Sequence, residues 1–359
     1  MKRFTKSFIL AAVLVTAASC VEHQNLMPSS GEAIAISPLS GTATKAAIDG
    51  TVFPADRTMT VTAYYNAPAG LGTSANYFSA TTFAKDGDVW AATPDPKYWP
   101  AGGTLDLFAW SADGLTMGSR TYPAKVADGV TVAVPDNATV QTDIIACGVR
   151  ATAKVSSGVP MAFRHAQALV CFTAGSEVPY NAGTNYGVTI NSITLKGAKY
   201  SGTLKMGATN ELLQAIDGDA TAEDGYFLWK DLAREADKAL PTSSVASVKL
   251  PYNVPENPMD ITAAGNHFGI GGIGILVPEQ AQTRFVVEFT LHNGYDAENN
   301  PINNAQVFEY TCTGSWKEGI KYVYQMSFGF DEITVRPTMV DWNPQTSVEV
   351  EIPAPPMGA

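Results

Sequence analysis

Charge is scarce in this 359-residue sequence, where Asp, Glu, Lys and Arg together make up 16% of positions. A disordered chain would carry more charge and less than the 45% hydrophobic content found here, so an ordered interior is expected. Basic residues number 23 against 34 acidic ones, a formal net charge of −11, and loss of Lys2, Arg3 and Lys6 with the first 19 residues would make it three units more negative. Such a surface repels phosphate backbones and anionic headgroups, which argues against a nucleic-acid partner. Cysteine is rare too. Cys20, Cys147, Cys171 and Cys312 are widely spaced and Cys-x-x-Cys is absent, which speaks against a disulfide framework. The last three lie in strand-like runs and read as small buried hydrophobes.

Catalytic and cofactor signatures are also missing. Neither Gly-x-Ser-x-Gly, Ser-x-x-Lys nor Gly-Lys-Ser/Thr occurs. The four histidines, His23, His165, His267 and His292, form no local ligand pair, and His-Glu-x-x-His is absent, so no metal is expected. Gly269 to Gly274 spells Gly-x-Gly-x-x-Gly, but Ile275-Leu276-Val277-Pro278 follows where a phosphate-holding helix would have to start. Asp86-Gly87-Asp88 and Asp217-Gly218-Asp219 lack the further ligands of a calcium loop and read as turns. His165, at the start of an apolar run, reads as a satisfied core residue rather than a base. No enzyme activity and no cofactor are expected.

What the chain does have is glycine (31), proline (22), tyrosine (14) and phenylalanine (15), the material of strands and turns. Period-two alternation recurs in Met59, Val61, Ala63 and Tyr65, in Leu105, Leu107 and Ala109, and in Val130, Val132 and Val134. A second set of strands begins near Met161 and continues through Phe163–Phe172, Tyr186–Leu195, Phe285–Leu291, Phe308–Cys312 and Tyr322–Phe330. The phase slip at Asn191-Ser192 suggests a bulge. Trp229–Leu240 is the one segment that predicts a helix, since Leu232, Ala236 and Leu240 recur at four-residue steps before Pro241. Tyr64, Tyr65, Trp90, Tyr98, Trp99 and Trp110 are weighed as a sugar-stacking platform, but their alternation with Leu and Ala favours core.

At the N-terminus, Lys2, Arg3 and Lys6 precede the apolar run Phe8–Ala18, too short to span a bilayer as a helix, and Ser19-Cys20 follows. This reads as a secretory signal peptide over residues 1–19, with Cys20 placed as in a bacterial lipobox. Residues 21–32 are patternless, as a tether would be. Ala33–Ile36 is a short strand candidate.

Six segments follow one another along the chain: Thr44-Lys45-Ala46, Tyr98-Trp99-Pro100-Ala101-Gly102-Gly103-Thr104-Leu105-Asp106-Leu107-Phe108-Ala109-Trp110, Phe163-Arg164-His165-Ala166, Leu276-Val277-Pro278-Glu279-Gln280, Trp316-Lys317-Glu318-Gly319 before Tyr322-Val323-Tyr324, and Val340-Asp341-Trp342. Together they resemble the fimbrillin family, the type V pilins and related surface lipoproteins of Bacteroides-like bacteria. The resemblance implies an all-β chain of two tandem transthyretin-like β-sandwich domains behind a lipoprotein signal peptide. The expected divisions are a lipid tether and removable first strand at 20–45, an N-terminal sandwich at 46–157, a C-terminal sandwich at 158–345 and a tail at 346–359.

The resemblance further implies lipidation at Cys20, surface localisation at the outer membrane, and proteolysis between Lys45 and Ala46. That cut would release a strand carrying Ile34 and Ile36 and open a groove for a strand of another subunit. Burial of Ile34, Ile36 and Leu39 would be worth on the order of 5–9 kcal/mol. Val348, Val350 and Ile352 alternate with glutamates and offer a donor strand. The same tail also reads as the last strand of its own sandwich, and Lys45 as an uncut linker residue. Expected partners are other fimbrial subunits, the outer membrane and a host glycan or protein. The alternative is a non-polymerising surface lipoprotein, a fimbrial anchor or glycan binder.

Overall fold

A computed structural model describes residues 29–38, 53, 55–68, 75–112, 115, 117–121, 130–136, 141–161, 163–176, 185–206, 227–240, 248–249, 268–329, 333–341 and 350–351. Among these residues the chain is all strand and turn, with no helix. The strands begin with β1 (Ser29–Ala33), β2 (Ala35–Pro38), β3 (Met59–Asn66), β4 (Ala75–Asp86), β5 (Val89–Ala92) and β6 (Tyr98–Pro100). Then come β7 (Thr104–Ser111), β8 (Arg120–Thr121), β9 (Val130–Val134), β10 (Ile145–Thr152), β11 (Val159–Met161) and β12 (Arg164–His165). Next are β13 (Ala168–Ser176), β14 (Tyr186–Met206), β15 (Phe227–Ala239), β16 (Val248–Lys249), β17 (Phe268–Val277) and β18 (Gln280–Ala281). The series ends with β19 (Arg284–Tyr295), β20 (Pro301–Thr311), β21 (Ser315–Trp316), β22 (Ile320–Phe328), β23 (Ile333–Asp341) and β24 (Val350–Glu351).

Three large sheets organise the molecule. An eight-stranded sheet runs in the order β11-β2-β5-β4-β3-β7-β10-β12, and a five-stranded sheet runs β17-β13-β22-β23-β24. The third, seven-stranded, runs β20-β19-β14-β9-β8, with β15 and β16 also paired to β14. The seven- and five-stranded sheets pack face to face: Phe285 of one meets Phe172 and Tyr324 of the other at 4.9 and 5.3 Å between ring centres. Phe289 likewise meets Phe328 edge-on at 5.0 Å. Such offset aromatic pairs add to the area they bury.

The eight-stranded sheet is buried on both faces at its centre. Val61, Ala63, Leu105, Leu107, Ala109 and Cys147 face one core. Tyr64, Phe108, Trp110 and Ala146, their sequence neighbours, face another that includes Val130, Val132, Val134, Leu204 and Met206. That second core exists because β9 pairs antiparallel with the end of β14, Val132 opposite Leu204. This explains why Thr104–Ser111 is buried at every position after the first. Asp106, buried within that run, accepts a hydrogen bond from the Asn66 amide at 2.7 Å. Three pairings therefore cross residue 157: β9 with β14, β2 with β11, and β10 with β12.

The helix expected over Trp229–Leu240 is not formed; all of these residues but Leu240 belong to β15, antiparallel to β14. Spacing by four is an even number and suits one face of a strand as well as a helix. The period-two signal is masked because Asp231 (φ 52°) and Arg234 (φ 57°) take left-handed backbone, and three steps on β15 oppose two on β14 between Lys230 and Ala233. At Asn191 the sequence reading holds: Ile190 opposes Phe289 while Ser192 opposes Glu288, so one extra residue is accommodated and the buried set switches from Val188 and Ile190 to Ile193 and Leu195.

Candidate functional site

Residues 29–38 make the most unusual insertion in the fold. The expected strand Ala33–Ile36 is a pair of short strands flanking Ile34. The first, β1, pairs with β6, Ala33 opposite Tyr98, and the Ile34 N–H donates to the Lys97 carbonyl at 2.6 Å. The second, β2, lies between two strands. Ile36 is opposite Trp90 in antiparallel β5 on one side and opposite Val159 in parallel β11 on the other.

Ile34 and Ile36 are both 0% exposed and share a core with Phe53, Trp90, Val159 and Met161. Phe53 packs between Trp90 and Phe163, at 5.5 and 4.8 Å. Glu32 forms an ion pair with Lys154, so the segment before β11 touches the leading residues through charge as well. Gly158 permits the close approach: its φ is +87°, and a Cβ there would lie 3.2 Å from the Ser37 nitrogen and 3.1 Å from a Val89 methyl. Val159 and Met161, with Gly158 and Lys154, are the slot residues that sequence reasoning did not single out. The alternation Val159-Pro160-Met161 was the available signal.

The other sequence-derived positions are distributed as follows. Cys20, Lys45, Ala46, Val348 and Ile352 lie outside the described residues, as do Leu39 and Asp217-Gly218-Asp219. Val350 sits in β24, where its backbone is opposite Met339 of β23 at the edge of the five-stranded sheet. Of the six aromatics weighed as a platform, Tyr64, Trp90, Trp99 and Trp110 are buried, Tyr65 is partly buried, and only Tyr98 reaches solvent appreciably, at 37%. They do not form a stacking face.

Cys147, Cys171 and Cys312 are buried and in no disulfide, and burial pushes Cys312 up to about 11, away from reactivity. His165 is buried and its Nδ1 lies 3.0 Å from the Asp143 carboxylate. Beside it the Gln167 side chain accepts from the Ile144 N–H at 3.1 Å and Trp229 donates to the Ala166 carbonyl at 2.7 Å. His165 thus holds a crossing between sheets. Gly269 to Gly274 lies in β17, paired to β13, with strand on both sides of it and no helix.

The motif segments have structural duties. Gly103 (φ +81°) makes the turn from β6 into β7, where a Cβ would come within 2.5 Å of the Asn66 carbonyl oxygen. Gln280 grips β14 at both ends of one residue, accepting from the Lys199 N–H and donating to its carbonyl, each at 2.8 Å. Trp316 donates to the Tyr324 hydroxyl at 3.1 Å, and the Lys317 N–H donates to the Tyr322 hydroxyl at 2.9 Å, so the tyrosines of β22 tie down the preceding turn.

Against known proteins, a family model described as fimbrillin-like matches residues 44–342. No functionally curated protein matches the chain. Among solved structures, a fimbrial protein from Bacteroides vulgatus ATCC 8482 superposes with a TM-score of 0.54 at 12% identity, covering 79% of this chain and 93% of that one. A candidate cell adhesion protein from Bacteroides uniformis ATCC 8492 gives 0.48 at 14% identity, covering 87% and 99%. At such identity the Bacteroides vulgatus likeness is one of fold. The family match spans most of the sequence and contains every core strand from β3 to β23: the chain belongs to the fimbrillin-like family.

Proposed function

We propose that this protein is a structural subunit of surface fimbriae, exported as a lipoprotein through Cys20 and assembled by strand exchange after cleavage between Lys45 and Ala46. The observation that carries the proposal is the placement of Ile36: a fully buried side chain on a terminal strand that is hydrogen-bonded on both sides, between β5 and β11. The family match begins at residue 44, beyond that strand, which supports treating residues 29–38 as separable from the part of the chain that the family model matches. Loss of Ile34 and Ile36 would uncover pockets worth roughly 3–6 kcal/mol together, beside the unpaired backbone of two strands. A groove of that kind binds a strand with alternating apolar residues, the pattern of Val348, Val350 and Ile352. The slot lies in the eight-stranded sheet and the tail follows the five-stranded one, so a junction between subunits would join these two sheets.

A Lys/Arg-specific protease is expected to yield a product beginning at Ala46, and that product is expected to polymerise or to take up the peptide SVEVEIP. A trimmed protein that stays monomeric and ignores the peptide overturns strand exchange. A second reading, a non-polymerising anchor retained by lipid on Cys20, is favoured by the pairing of β24 with β23, which already engages the tail within its own chain. N-terminal sequencing of surface-extracted protein separates the two: Ala46 supports the trimmed subunit, a blocked Cys20 the anchor. Burial of Trp90, Trp99 and Trp110 weighs against a glycan-binding face built from them.

A further inference from the structure

The geometry points to β20 as the site where two copies of this chain associate side by side, by antiparallel continuation of the seven-stranded sheet. β20 ends the strand order of that sheet, and among the described residues it pairs with β19 alone. Its pairing is regular from Thr311, opposite Arg284, to Asn303, opposite His292. The Cys312 N–H donates to the Thr283 carbonyl at 2.8 Å, so in this register the even-numbered residues direct their backbone groups to β19. Asn303, Ala305, Val307 and Glu309 therefore aim their N–H and C=O groups outward, away from the sheet.

Exposed edges of this kind are ordinarily blunted by charge, proline or bulges. The same sheet does this at β15, which carries Lys230, Asp231, Arg234, Glu235, Asp237 and Lys238 and two left-handed residues. β20 has none of that protection. Its proline is at the first position, its one charge is Glu309, and Arg284 already holds that carboxylate at 2.7 Å. Val307, at the middle of the edge, is 69% exposed.

A second copy is the occupant that matches this edge. An antiparallel pair centred on Gln306 sets Val307 against Ala305, Ile302 against Tyr310 and Glu309 against Asn303 of the other copy, twice each by the two-fold symmetry. No like charges meet, although each whole chain is strongly negative. The contact is distinct from the slot between β5 and β11 and requires no cleavage.

The test uses the untrimmed chain in sedimentation equilibrium. Wild type is expected to dimerise, and Val307→Lys, on the solvent face, to weaken the dimer by about tenfold or more with an unchanged circular dichroism spectrum. Val307→Pro removes an outward N–H and should act likewise. Under mild oxidation Gln306→Cys should form a covalent dimer, since its own counterpart lies about 4.5 Å away across a non-hydrogen-bonded pair. Asn304→Cys, about 13 Å from its counterpart, should not. A monomer at all concentrations, a dimer indifferent to Val307→Lys, or association seen only after cutting at Lys45 overturns the proposal.

Discussion

Lys238 lies on the face of the Tyr200 ring, its ammonium 5.3 Å from the centroid, in a position 8% exposed. Burial pushes that ammonium down to about 8, with Asp136 partly opposing the shift. Below pH 8 folded and unfolded chains both hold the proton, and the folded form bears the full desolvation penalty. As pH rises from 8 towards the ordinary lysine value of 10.5, the folded chain sheds the proton first and stability rises. Burial pushes Tyr77 up to about 12, and Tyr200 upward as well, so above pH 10 the unfolded chain ionises its phenols first and stability falls. Lys238→Met should therefore raise the melting temperature at pH 7 and lose much of that advantage at pH 9.5; an equal advantage at both values, measured by scanning calorimetry, contradicts this assignment. Nothing in the sequence marked Lys238, because a burial penalty depends on which strand covers a residue. The burial of Trp99 was legible in the alternation that favoured core for it.

Among the elements, β2 is short but its single fully buried side chain sits between two partners. Ile36→Ala should cost about 2–5 kcal/mol in urea unfolding, and Ser37→Ala, at a half-buried neighbouring position, well under 1 kcal/mol. An Ile36→Ala midpoint equal to wild type would mean that β2 does not seal the core. The alternation around Ile34 and Ile36 showed that a strand was there. It could not show the partner, because Val159 is far along the chain and parallel pairing leaves no local mark. β14 and β15 illustrate the same limit. The bulge at Asn191 was readable because the apolar residues on either side keep clean phases, whereas β15 takes an extra residue between Lys230 and Ala233, with left-handed backbone at Asp231 and Arg234, and mimics a helix repeat.

For the molecule as a whole, the core shared by Trp110, Val132 and Leu204 joins the eight-stranded sheet to the seven-stranded one. We expect a single calorimetric unfolding transition for wild type, and a loss of about 3–5 kcal/mol for Trp110→Ala with both sheets affected together. Two resolved transitions in wild type would show that this core does not couple them. Hydrogen bonds span the division expected between residues 157 and 158, since a loop's composition reports the bend and not the destination of the strands on either side. Those long-distance pairings bear on how such a chain is made. Ile36 meets Trp90 soon after it is synthesised but must wait for Val159, and Val132 must wait for Leu204. The first half has no means of finishing until the second has emerged. A newborn polypeptide of this topology stays loose and threadable for most of its synthesis, which is the condition a translocation pore demands of its cargo.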